Sequence, residues 1–216
     1  MLKILKGQDQ IRRIIVCEES GNASSLPLLL HFLSTTSSSN QKVAIVSSRF
    51  TETNYKLICS KAGVRWDPSK ITFSDVLQPF GYLDVTANQL MEQIRSNITE
   101  SNPCAVLFDD LSILEQFGAK SVEVAVFVHE MYTLLSNVSP EHALVFASFS
   151  IPTNTISLLR SRCNVLIHLN PVGHGFGKEA SSKAVLTIRD SDLRTTKKGI
   201  LLSGERAING TWITVD

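Results

Sequence analysis

Short apolar runs alternate along this chain with longer amphipathic stretches, a pattern that predicts strands and helices in turn. Residues 11–17 are rich in β-branched side chains and stop at Glu18, Glu19, Ser20 and Gly21, so they read as a strand entering a loop. Residues 26–33 are almost wholly apolar, with Pro27 admissible in a first turn, and predict a buried helix that closes in the polar tract 34–40, a turn or frayed end. Residues 43–47 form a second short strand, 51–63 a helix with Gly63 suited to its C-cap, and 71–73 a third strand. Leu90, Met91 and Ile94 mark a helix over 84–97, and Pro103 then introduces a continuous apolar strand at 105–108, as expected of a parallel strand buried on both faces. A long helix at 122–135 and a buried strand at 142–148 complete the alternation.

Beyond Pro152 the pattern changes. Residues 164–168, 184–189, 199–203 and 211–215 predict short strands separated by Gly, Asn, Asp and Lys turns, with Lys197 and Lys198 in one such turn. Asn209-Gly210 is a hairpin signal because it accepts positive φ. The whole predicts an α/β fold: a mostly parallel central sheet flanked by helices, finished by an antiparallel β-meander at the C-terminal edge. That is the layout of RecA-like domains, shared by other doubly wound folds. At 216 residues and 43% hydrophobic content, the expectation is one domain over 1–216, divided into an alternating part (1–150) and a β-rich tail (151–216).

Twenty-one Lys plus Arg against twenty Asp plus Glu leave a formal charge of +1, so no global field draws the protein onto nucleic acid or a membrane; such contact needs a local patch. The first residues lack the apolar stretch of a signal peptide, and no run approaches the roughly 20 residues that cross a bilayer. A soluble, cytoplasmic protein with no membrane partner is expected, the nucleus remaining open as a second location. Cys17, Cys59, Cys104 and Cys163 are far apart and read as buried thiols, and the five histidines lack ligand spacing, so no metal site is expected.

The chemistry concentrates at 104–112, an apolar strand ending in Asp109 and Asp110. In nucleotide-hydrolysing α/β proteins such a strand end holds Mg²⁺ or activates water, while a Gly-rich loop ending in Lys-Ser/Thr cradles the phosphates. The loop after the first strand here, 18–25, contains no lysine. Lys42, the next one, lies beyond the helix, and Glu18 and Glu19 would meet a triphosphate with like charge. Gly21, Ser24 and Ser25, with Asp109 and Asp110, make at most a degenerate nucleotide pocket; the competing reading is an ordinary N-cap at Ser24 or Ser25. Asp109 and Asp110 admit three readings: a cap or loop before Leu111, a residual metal and nucleotide site, or a subunit-interface role. No catalytic residue is assigned.

The order and spacing of residues 29–33, 42–46, 61–64, Val106-Leu-Phe-Asp-Asp-Leu-Ser-Ile-Leu114 and 127–129, closed by Gly173-His-Gly-Phe-Gly177 and the hairpin tail, resembles the family of Elongator subunit six from about Ser24 onward. The resemblance implies a RecA-like fold without phosphate-loop motifs. It further implies a heterohexameric ring with subunits four and five, docked on the catalytic Elongator subcomplex, that binds tRNA and supports carboxymethyl-type modification of the wobble uridine. The modification chemistry belongs to another subunit, and any ATP hydrolysis to the assembled ring, with ATP at a subunit interface. In RecA-like rings the loop after the next strand faces the centre; here it spans 151–162. Arg160 and Arg162 are the RNA-binding candidates, with Thr153, Asn154 and Thr155 as neutral hydrogen-bonding groups. The alternative is a short helix whose arginines are solvated or pair with a neighbouring subunit's carboxylates. Two rival functions stand beside this one: a stand-alone nucleotide-hydrolysing enzyme of recombinase-paralogue type, and an interaction scaffold without RNA contact.

Overall fold

The structure, a computed structural model, describes residues 13–38, 41–77, 85–172, 182–189, 194–202 and 210–213. Among the described residues nine strands form one sheet: β1 (Arg13–Glu19), β2 (Val43–Ser47), β3 (Ile71–Asp75), β4 (Ala105–Asp109), β5 (Leu144–Phe149), β6 (Val165–Pro171), β7 (Ser182–Arg189), β8 (Thr195–Leu202) and β9 (Gly210–Ile213). Their order is β3-β2-β4-β5-β1-β6-β7-β8-β9, parallel as far as β6 and antiparallel from β6 to β9. The helices are α1 (Leu26–Ser38), α2 (Glu52–Ala62), α3 (Ala87–Ser101), α4 (Ser112–Gln116), α5 (Ser121–Val138) and α6 (Asn154–Arg160).

Every residue of β2, β4 and β5 is buried, which explains their unbroken apolar runs: helices cover both faces. Alternate residues feed two cores. Ile15, Ile45, Leu107 and Phe146 pack with Leu28, Leu29, Phe32 and Leu33 of α1 and with Tyr55 and Cys59 of α2. Val16, Val46, Val106 and Val145 pack with Leu90 and Ile94 of α3 and with Phe127, Val128 and Met131 of α5. No helix among the described residues is long and apolar enough to cross a membrane.

The predicted helix at 51–63 matches α2, bounded by Thr51 as N-cap and by Gly63 at φ 70° as C-cap. Elsewhere the sequence reading needs correction. The strand expected to stop at Cys17 runs on through Glu18 and Glu19, while α4 follows Leu111 as the capping reading of the aspartates allowed, with Asp110 Oδ1 accepting the Ser112 N–H. The tract at 34–40 is not a turn as far as Ser38: α1 continues through it, because Thr35 and Thr36 donate their hydroxyls to the carbonyls of His31 and Phe32 instead of competing for the backbone. Lys197 and Lys198 lie within β8 rather than in a turn, since β8 pairs with β7 over its full length. Asn209 of the hairpin signal and the Gly173–Gly177 motif lie outside the described residues.

All four cysteines are free and buried, and burial raises each thiol pKa, that of Cys59 to about 11. A colorimetric thiol reagent at pH 8 should therefore label none of them in the native protein and all four in urea; rapid labelling under native conditions would show an open core.

His31 is a half-buried titratable group. Among the described residues its buried Nε2 has no hydrogen-bond partner, and burial lowers its pKa from 6.5 to about 4. The unfolded chain therefore takes up a proton near pH 6.5 that the native state refuses until about pH 4, so stability is full above pH 6.5 and falls as pH drops through that window. Because the side chain is only half-buried, solvent screening holds the loss to about 1–2 kcal/mol. Urea unfolding at pH 7 and pH 4.5 should show it, and His31→Gln should flatten the difference.

Candidate functional site

The carboxyl ends of β1, β2 and β4 meet in one crevice. The pleat that sends Ile15, Ile45 and Leu107 into the first core also directs Glu19, Ser47 and Asp109 to that same face. At the end of β2 the Ser47 hydroxyl accepts hydrogen bonds from the backbone N–H groups of Arg49 (3.3 Å) and Phe50 (3.0 Å), a local turn that folds Arg49 back over the strand ends.

The Arg49 guanidinium fills the crevice. Its Nη1 donates to Glu19 Oε2 at 2.8 Å and its Nη2 to Glu19 Oε1 at 3.1 Å. Its Nε donates to Asp109 Oδ1 at 2.6 Å, an oxygen that Nη2 also reaches, and Nη2 donates to the Ser25 hydroxyl at 3.1 Å. The other Asp109 oxygen accepts the Tyr55 hydroxyl. One planar fork thus serves two carboxylates, Asp109 fully buried and Glu19 6% exposed. Burial opposes the charge on Arg49, but Glu19 and Asp109 more than offset it and hold its pKa above the ordinary guanidinium value. Burial of Asp109 in turn raises that carboxyl's pKa, against the pull of Arg49 and Tyr55.

Asp110 faces the other way. Its Oδ1 accepts the Ser112 N–H at 2.7 Å, at the first residue of α4, and its Oδ2 accepts both the N–H and the hydroxyl of Ser150 after β5. The Ser48 hydroxyl bridges its backbone, accepting from Asp110 N and donating to Asp110 O. The peptide joining Asp109 to Asp110 is cis.

The expected pocket residues therefore separate. Ser25 and Asp109 join the Arg49 network, whereas Gly21 and Ser24 do not: Gly21 turns the chain after β1 at φ 58°, and the Ser24 hydroxyl accepts the Leu26 N–H at 3.2 Å. Arg160, in the last turn of α6, and Arg162, just beyond it, are exposed and remote from this crevice. Thr153 and Thr155 both donate their hydroxyls to Glu115 Oε1 at 2.5 Å, so these two threonines are committed within the fold rather than offered to RNA.

Arg49 and Tyr55 escaped the sequence reading. A signal was available: carboxylates expected at the ends of two strands of one sheet, with no lysine nearby, need a cation, and Arg49 stands two residues past the end of β2, the strand that pairs with β4. In this arrangement the crevice offers no free phosphate cradle. A phosphate-binding helix start offers free N–H groups, but here the Ser25 N–H donates to Glu19 Oε1 at 2.7 Å, and Arg49 already neutralises both carboxylates.

No family model matches the sequence, and the comparison with curated proteins found no match. Among solved structures the chain is similar to the flagellar accessory protein FlaH from Methanocaldococcus jannaschii, at a TM-score of 0.71 and 13% identity, covering 99% of this chain and 95% of that one. The fold is RecA-like.

Proposed function

We propose that the chain is a non-hydrolysing RecA-like subunit of the Elongator complex, completing a heterohexameric ring with subunits four and five that binds tRNA during wobble-uridine modification. The observation that carries this reading is the Arg49 bridge between Glu19 and Asp109, which gives the crevice an internal cation in place of a phosphate-binding lysine. In a chain so built, the aspartates mark descent from a nucleotide-binding fold, and any ATP of the ring is held by other subunits. The exposed Val122 and Val126, one helical turn apart on α5, and Leu158 on α6 supply apolar surface of the kind that subunit packing buries.

Affinity purification of the tagged chain from its own cells tests the reading. Co-purification of the other Elongator subunits is expected, together with loss of the modified wobble uridine when the chain is removed; recovery of none of them would refute it. The two strand-end aspartates favour a second reading, a stand-alone nucleotide-hydrolysing enzyme. ATP hydrolysis by the purified chain that disappears in Asp109→Asn and Asp110→Asn would establish that alternative.

A further inference from the structure

On the sheet face opposite the Arg49 crevice, beyond the end of α6, lies a groove of about 370 Å³. Its floor follows from strand register. His168 pairs with Val185, Leu166 with Thr187 and Thr187 with Lys197, and Arg189 with Thr195, so these residues stand in three cross-strand rows on one face of β6, β7 and β8. Arg160 closes one side from the last turn of α6, above the buried Cys163. Burial raises the Cys163 thiol pKa, while Arg189 and Arg160 both lower it, so the two guanidinium groups converge on the same spot. Arg189 is pinned there by donating Nη1 to the Ser161 carbonyl.

The groove has no acidic lining residue. Among the described residues, no carboxylate forms an ion pair with Arg160, Arg189 or Lys197, and Glu18 is engaged by His168 Nδ1 at 2.6 Å. Three cations gathered with no counter-charge among the described residues repel one another, a cost that an arriving polyanion removes. Thr187 and Thr195 add hydroxyls, and Leu166 with Val185 provides an apolar strip on which a ribose or base can lie. We propose that this groove binds the phosphodiester backbone of single-stranded RNA, which, resting on the function proposed above, is a loop of tRNA. Arg160 takes part and Arg162 does not, because Arg160 lines the groove and Arg162 does not.

The test is fluorescence anisotropy with the full chain, a roughly 12-nucleotide labelled RNA and a tRNA, titrated between about 50 and 200 mM KCl. In Arg160→Gln/Lys197→Gln the affinity at low salt should fall about tenfold or more and the log–log salt slope should flatten by about 1.4, or about 0.7 per lost phosphate contact. Arg162→Gln should stay within about twofold. If the double variant loses its native thermal midpoint, the single variants decide, each expected to weaken binding several-fold. No RNA binding by the wild-type chain, or unchanged affinity and slope in the variants, overturns the groove. So does RNA binding that survives while association with partner subunits is lost, which would assign the groove to an acidic segment of a neighbour. RNA binding that depends on the groove in a chain that recovers no Elongator subunits supports the groove and refutes the proposed complex. Elongator co-purification with groove-independent RNA affinity does the reverse.

Discussion

Arg49→Met should lower the unfolding free energy by about 3–5 kcal/mol, read as a drop in the urea midpoint at unchanged slope. The substitution keeps the length of the side chain but leaves Glu19 and Asp109 as buried carboxylates without a cation, and it strips the Ser25 hydroxyl of its donor. Most of that cost is the burial of unpaired charge rather than the net worth of the ion pairs. Neutralising all three groups in Glu19→Gln/Arg49→Met/Asp109→Asn should therefore recover most of the lost stability. If Arg49→Met were as stable as the wild type, the guanidinium would not be what balances the crevice.

Phe146→Ala should cost about 3–5 kcal/mol, by lost burial and by the cavity left in the middle of the sheet. Phe146 is fully buried on β5, and its ring lies 5.2 Å from that of Phe32 on α1. The effect should reach the functional crevice, because α1 starts one residue after Ser25, whose N–H and hydroxyl both belong to the Arg49 network. Denaturant unfolding gives the magnitude, and faster amide exchange at Ser25 would report the coupling.

The parallel half of the fold was legible because its strands are buried on both faces, which leaves unbroken apolar runs such as 105–108 and 144–147 that no half-exposed element shows. Boundaries were less legible where polar residues serve the fold locally. Thr35 and Thr36 prolong α1 through hydroxyl bonds to their own helix, and Glu18 and Glu19 extend β1 because His168 and Arg49 meet their charges. The crevice was half legible. Asp109 stood out as a carboxylate closing an apolar strand, but its partner is 60 residues away in sequence and adjacent only through the pairing of β2 with β4. The cationic groove was less legible still: Arg160, Arg189 and Lys197 come from three elements whose proximity depends on the antiparallel register of the tail.

Arg49 bridges Glu19 and Asp109 in the crevice where the sequence led to the expectation of a degenerate nucleotide pocket. The most direct measurement is the thermal midpoint of the purified chain with and without millimolar MgATP, run beside a phosphate-release assay. No shift and no release above the buffer rate are predicted. A saturable rise in the midpoint, equivalent to about 2.7 kcal/mol at a hundredfold excess over the dissociation constant, would contradict the account, and more so if Asp109→Asn removed it.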